Sequence, residues 1–255
     1  YVPTLSPYAE SLGATHKMIG LIIGSYGFTQ MLLRIPLGVV SDRLKNRKVF
    51  IVLGLFFGLA SSLGLWHFRQ ALMVLVFRSL SGFAAASWVA FTVLFSSYFK
   101  GRDAPKATGI LVSFTAIGQM SAMLLGGFFA EKYGLNAPFL LASFGAVLGL
   151  ILSTKIEEDT DLNREPMQFS QLFSVALEPG LLFVSSLAIL AQIMTFATVF
   201  GFTPIAAKEI GATNLQIGLL TTISTLPVVF SSALSGTSFR DKFGERKTIF
   251  FGFLI

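Results

Sequence analysis

The sequence predicts an all-α membrane protein, a bundle of transmembrane helices, and three observations predict it. Of the 255 residues, 53% are hydrophobic and 13% are charged, with 27 Phe among them. A soluble domain carries charge on roughly a quarter of its residues, so this surface suits hydrocarbon rather than water. The apolar residues come in runs of roughly twenty, the length a helix needs to cross about 30 Å of hydrocarbon at about 1.5 Å per residue. Lys and Arg keep to the short segments between those runs, except Arg34 and Arg78.

Taken in order, the spans fall near 18–40, 49–67, 71–99, 108–130, 137–154, 179–203 and 215–235, and an eighth begins at Thr248. Each is bounded by charge or by Pro and Gly, which punctuate helices. Lys17 precedes the first, and the charge-rich stretch from Gly38 to Lys48 divides it from the second. Arg69 precedes the third and Lys100 follows it; Lys106 opens the fourth, and Glu131 and Lys132 close it. Pro138 starts the fifth and Pro179 the sixth, and Gly211 precedes the seventh. Between the fifth and sixth, Lys155 to Gln171 holds Glu157, Glu158, Asp159, Asp161, Arg164 and Glu165, and reads as a water-exposed linker. The expected organisation is a first bundle over 1–154, a cytoplasmic linker over 155–175, and the start of a second bundle over 176–255.

Loop charge sets the expected orientation, because Lys and Arg resist translocation. Alternate loops place thirteen bases on one side and four on the other, so the charge-rich side is expected in the cytoplasm of a plasma or inner membrane. An internal repeat supports two halves of the same orientation. Gly13-Ala14-Thr15 followed by Ile19-Gly20-Leu21 recurs as Gly211-Ala212-Thr213 followed by Ile217-Gly218-Leu219. A second charge knot, with Gly236, Asp241, Lys242, Arg246 and Lys247, repeats the first, with Gly38, Asp42, Arg43, Arg47 and Lys48. Tyr1-Val2-Pro3 falls opposite Phe202-Thr203-Pro204, at the end of a full span in the second copy, so a helix preceding Tyr1 is expected.

Together the two knots resemble the signature of the major facilitator superfamily, in which two six-helix bundles are joined by a cytoplasmic linker. That signature reads Gly, three residues, Asp, a base, any residue, Gly, then bases. Here Lys45 stands at the second Gly position, followed by Asn46, whereas the second copy keeps Gly244. The resemblance implies that these knots latch the bundles on the cytoplasmic side and release as the protein opens inward. Gly38 permits close backbone approach, and Asp42 suits the positive N-terminus of a facing helix. The plainer reading of Arg47, Lys48, Arg246 and Lys247 is an orientation anchor. Asp42→Asn separates the two readings, since an anchor has no use for the acid.

Arg78-Ser79-Leu80-Ser81-Gly82 is similar to a family pattern that some members use in proton coupling. An Arg within a span costs several kcal/mol against lipid and is expected to face a cavity or a partner. Tyr26, Gln30, Arg34, Gln119 and Gln192, with Trp88 as an amphipathic aromatic, are the other polar groups inside spans and the candidate cavity or solute contacts. Each Gln also reads as interhelical glue. Gly82, with Ala86 and Ala90, suits close packing, as do Gly118, Ala122 and Gly126. The Gly-Pro typical of antiporter branches ahead of such a Gly-Gly pair is missing before Gly126 and Gly127.

No Cys is present, and no zinc-helix motif, phosphate loop or activated nucleophile, so an enzyme, a metal and a cofactor are not expected. The net charge of +6 is spread over loops rather than gathered on one face, which argues against nucleic acid. The expected partners are the lipid bilayer and a small solute, with protons if transport is coupled to them. The leading expectation is a secondary transporter that exports amphipathic, drug-like solutes. Uptake of an organic anion or other small metabolite, drawn in by Arg34 and Arg78, is the alternative, and a non-transporting membrane protein is the reading from another class.

Overall fold

A computed structural model describes residues 1–99, 104–158 and 177–234, and among these every element is helical. The elements are α1 (Val2–Ser11), α2 (His16–Leu44), α3 (Arg47–His67), α4 (Ala71–Ala86), α5 (Trp88–Ser97), α6 (Ala104–Tyr133) and α7 (Ala137–Ser153). After the undescribed segment come α8 (Pro179–Ala197), a π turn (Thr198–Phe202), α9 (Thr203–Glu209) and α10 (Asn214–Leu234). Among the described residues, five stretches are long and apolar enough to cross a membrane, with α7 a shorter apolar helix. Exposed Phe28, Phe114 and Phe183 fit lipid as the surrounding solvent.

The chain packs around two apolar clusters. Near the knot, Leu37, Phe50, Ile51, Ala86, Ala90 and Leu94 draw α2, α3, α4 and α5 together. At the far end, Leu5, Tyr8, Ile19, Ile22, Leu65 and Phe139 are buried with Ile205 of α9, bringing α1, α2, α3 and α7 together. The Tyr8 hydroxyl crosses this cluster and donates to the Leu65 carbonyl at 3.2 Å.

The repeated Gly-Ala-Thr segments make the same turn. Gly13 and Gly211 have φ of 79° and 91°, a left-handed backbone that favours Gly and ends α1 and α9. Ala14 N donates to Ala9 O at 3.1 Å, and Ala212 N to Ala207 O at 2.9 Å, closing each helix in the same way. Thr15 Oγ1 then caps α2 through Met18 N, and Thr213 Oγ1 caps α10 through Gln216 N.

The expected span over 71–99 is broken at Ser87 into α4 and α5. Ser87 Oγ donates to Ala84 O at 2.6 Å, the kind of side-chain insertion that bends helices. Gly54 of α3 lies against the bend, and a Cβ there would sit 2.0 Å from Ser87 Oγ.

Small residues set two close crossings. A Cβ on Gly82 would lie 2.5 Å from Tyr26 O and 2.8 Å from Thr29 Cβ, so α4 rests directly on α2. On α6 the tight glycine is Gly127, where a Cβ would lie 2.9 Å from Asn214 O and 3.1 Å from Gly218 Cα of α10. The expected stripe of Gly118, Ala122 and Gly126 is corrected accordingly. Gly118 and Ala122 line a cavity, with nothing within 4 Å of a Cβ on Gly118, and Gly126 makes ordinary contact with Tyr1 and Pro138. Each four-residue step turns a 3.6-residue helix by about 40°, so such a stripe winds off any single seam.

Candidate functional site: a cavity and a charge knot

A cavity of about 570 Å³ opens among α1, α2, α4, α6, α7 and α8. Its wall is mainly apolar and aromatic, including Met123, Leu141, Phe144, Phe196 and Phe200, and its charged group is Arg78. None of the lining residues is acidic.

Arg78 is 3% exposed, held where α4 presses on α2 through Gly82. Its guanidinium carbon sits 4.4 Å from the centroid of the Tyr26 ring and 5.7 Å from that of Tyr1. A ring face attracts such a cation, more so when water is kept out. Nη1 donates to the Tyr1 hydroxyl at 3.1 Å and to Ser81 Oγ at 3.3 Å, while Nε is buried with no hydrogen-bond partner among the described residues. A buried cation held only by hydroxyls and rings keeps its demand for an anionic or strongly accepting group.

Of the other expected contacts, Tyr26 and Gln119 line this cavity. Gln30 does not; its Nε2 reaches Ala85 O at 3.4 Å, the glue role between α2 and α4. Trp88 stacks on Phe91 at 5.4 Å, and Arg34 and Gln192 are exposed on α2 and α8 away from this wall.

The charge knot turns the chain from α2 into α3. Lys45 ends α2 with φ 49°, the left-handed conformation for which the family signature supplies Gly. Lys45→Gly is therefore expected to gain about 0.5–1 kcal/mol, the left-handed penalty less the extra chain entropy of Gly. A higher melting midpoint in detergent checks it. Asn46 Oδ1 caps α3 through Val49 N at 3.2 Å.

Among the described residues, Asp42 accepts from Arg47 Nη2 at 2.7 Å within its own knot. Arg47 is nearly buried, but the Asp42 side chain is 46% exposed, so the pair contributes little stability of its own. Gly38 touches Val89 of α5, and Arg43 is exposed on the last turn of α2.

The sequence reading missed Glu158. Its two carboxylate oxygens accept from the backbone N–H groups of Arg47 and Lys48, each at 2.8 Å, where the helix dipole favours an anion. Lys48 Nζ returns the contact, donating to Thr154 O at 3.0 Å and Ile156 O at 2.7 Å at the end of α7. Tyr98 Oη donates to the Glu157 carbonyl. Burial, then the Glu158 and Glu157 carboxylates, push the Tyr98 phenol above its usual range. The first residues of the expected linker, through Ile156 and Glu158, thus contact the knot. The rest of the linker and the second knot, with Gly236, Asp241, Lys242, Arg246 and Lys247, lie outside the described residues.

Comparison with known proteins agrees with this architecture. The chain is 29% identical to an uncharacterized MFS-type transporter of Methanocaldococcus jannaschii, over 99% of this chain and 67% of that protein. It is 33% identical to the inner membrane transport protein YajR of Escherichia coli, over 71% of this chain and 40% of that protein. It is 26% identical to multidrug resistance protein 1 of Bacillus subtilis, over 64% of this chain and 42% of that protein. The model of the Major Facilitator Superfamily matches residues 1–255, and this protein, a helical membrane protein rather than an enzyme, belongs to that superfamily of transporters.

Proposed function

We propose that the protein exports a small amphipathic solute by alternating access across a plasma or inner membrane. Two bundles, 1–154 and 176 onward, rock about the Arg78 cavity, and the knot from Gly38 to Lys48 governs opening towards the cytoplasm. The observation that carries this reading is the cavity itself: aromatic and aliphatic walls with one buried guanidinium suit a solute with an apolar body and a polar end. The relative named as a multidrug resistance protein supports export, and the Arg motif supports coupling to protons.

One observation favours an organic anion as the solute: among the described residues Arg78 Nε is unpartnered, and the lining has no acid to neutralise it. A single experiment weighs both solute classes. The full-length polypeptide, reconstituted in vesicles, is tested with neutral, cationic and carboxylate-bearing fluorescent amphiphiles while a trapped dye reads internal pH. Export of neutral or cationic dyes with opposing proton movement supports the drug-exporter reading. Transport restricted to the carboxylate dye favours the anion reading. In that case Arg78→Gln should weaken its apparent affinity by about ten to a hundredfold, the loss of a charge-assisted hydrogen bond. Failure to move any of the three sinks the amphipathic-carrier reading.

A further inference from the structure

We infer that Glu131 latches the two halves together at the end remote from the charge knot and keeps the cavity closed from that side. The inference rests on the two-half reading above, because α6 belongs to the first half and α10 to the second. Where these helices cross, no side chain lies between them. A Cβ on Gly127 would approach Gly218 Cα to 3.1 Å, and one on Gly218 would approach Met123 O to 2.8 Å.

About one turn beyond Gly127, Glu131 Oε2 accepts from Asn214 N, the first amide of α10, at 2.7 Å. The Asn214 side chain answers, its Nδ2 donating to Ala130 O at 3.4 Å while its Oδ1 accepts from Lys208 Nζ at 3.1 Å. The amides of Thr213 and Gln216 are served locally. Thr213 N donates to Gln216 Oε1 at 2.8 Å, and Gln216 N to Thr213 Oγ1 at 3.2 Å, a reciprocal cap. The carboxylate from the other half takes an amide that the local cap does not serve, on the positive end of the helix. The Gly127 and Gly218 contact sets the register and Glu131 adds the electrostatic grip. Separating the halves at this end breaks both.

The chain has no Cys, which allows a direct test without knowledge of the solute. Ser121 is exposed on the cavity wall, and Ser121→Cys in a full-length, otherwise thiol-free background reports access to the cavity. A membrane-impermeant maleimide is applied to intact cells, and separately to inverted vesicles, which present the knot side. Glu131→Gln should raise labelling from the remote side by about five to tenfold, at the low end of such conformational couplings. Labelling from the knot side should stay level or fall. Gly218→Ala, which wedges the same seam, should act in the same direction, and Glu131→Asp, which keeps the charge, should act less. Unchanged labelling in Glu131→Gln, or an equal rise from both sides as general loosening would give, overturns the latch. If no solute is ever moved while the one-sided rise occurs, the carrier reading falls and the latch stands.

Discussion

Gly82→Val is expected to prevent accumulation of folded protein, and Gly82→Ala to lower stability by about 1–3 kcal/mol, the usual cost of forcing extra methyls into a packed contact. The reason is the partner. The Cβ of alanine would meet the Tyr26 carbonyl at 2.5 Å and Thr29 Cβ at 2.8 Å, and backbone cannot rotate aside as a flexible side chain can. Relief requires α2 and α4 to separate. That separation also moves the Tyr26 ring away from the Arg78 guanidinium, 4.4 Å from its centroid, so surviving protein should lose transport as well. Gly118→Ala is the control, because a methyl there meets nothing within 4 Å. Thermal melting of the detergent-extracted proteins should rank Gly82→Ala well below the wild type and Gly118→Ala level with it. Equal midpoints for the two variants would refute the packing argument.

That pair of glycines shows how far the sequence could be read. Among the described residues, hydropathy and loop charge located the apolar helices to within a few residues, apart from the break at Ser87, because lipid imposes a length and a composition on each helix independently of its neighbours. The eighth span expected from Thr248 lies outside the described residues. The repeated Gly-Ala-Thr turns were equally visible, since a left-handed residue followed by a Thr cap is local chemistry. Arg78 stood out because a charge inside a span demands an explanation. What escaped was the choice among similar residues. Gly118 and Gly127 look alike in a small-residue helix, and only the position of α10 separates them. Glu158 and Glu131 read as ordinary loop acids, yet each accepts from amides more than eighty residues away in sequence. Nothing local in the chain announces such a partner.

Glu158 leads to the other large effect. Glu158→Ala should slow transport about tenfold, a typical size for coupling between a positioning contact and a conformational step, at unchanged protein in the membrane. Two amides at the start of α3 would lose their acceptors, and Lys48 would keep its grip on Thr154 and Ile156 without the carboxylate that neutralises the helix start. Hydrogen exchange should quicken in the peptide holding Arg47, Lys48 and Val49, while the middle of α3 stays protected by its own ladder. Asp42→Asn makes a useful contrast. It removes the charge facing Arg47 Nη2 but leaves the Glu158 contacts to the two amides, so exchange at the start of α3 should change less even where transport fails. If Glu158→Ala quickens exchange yet transports at the wild-type rate, the carboxylate only caps a helix and the knot opens without it. If both change together, the knot works as a unit: Asp42 holds the Arg47 side chain, Glu158 holds the backbone, and the chain leaving α7 is fastened to the turn that has to move.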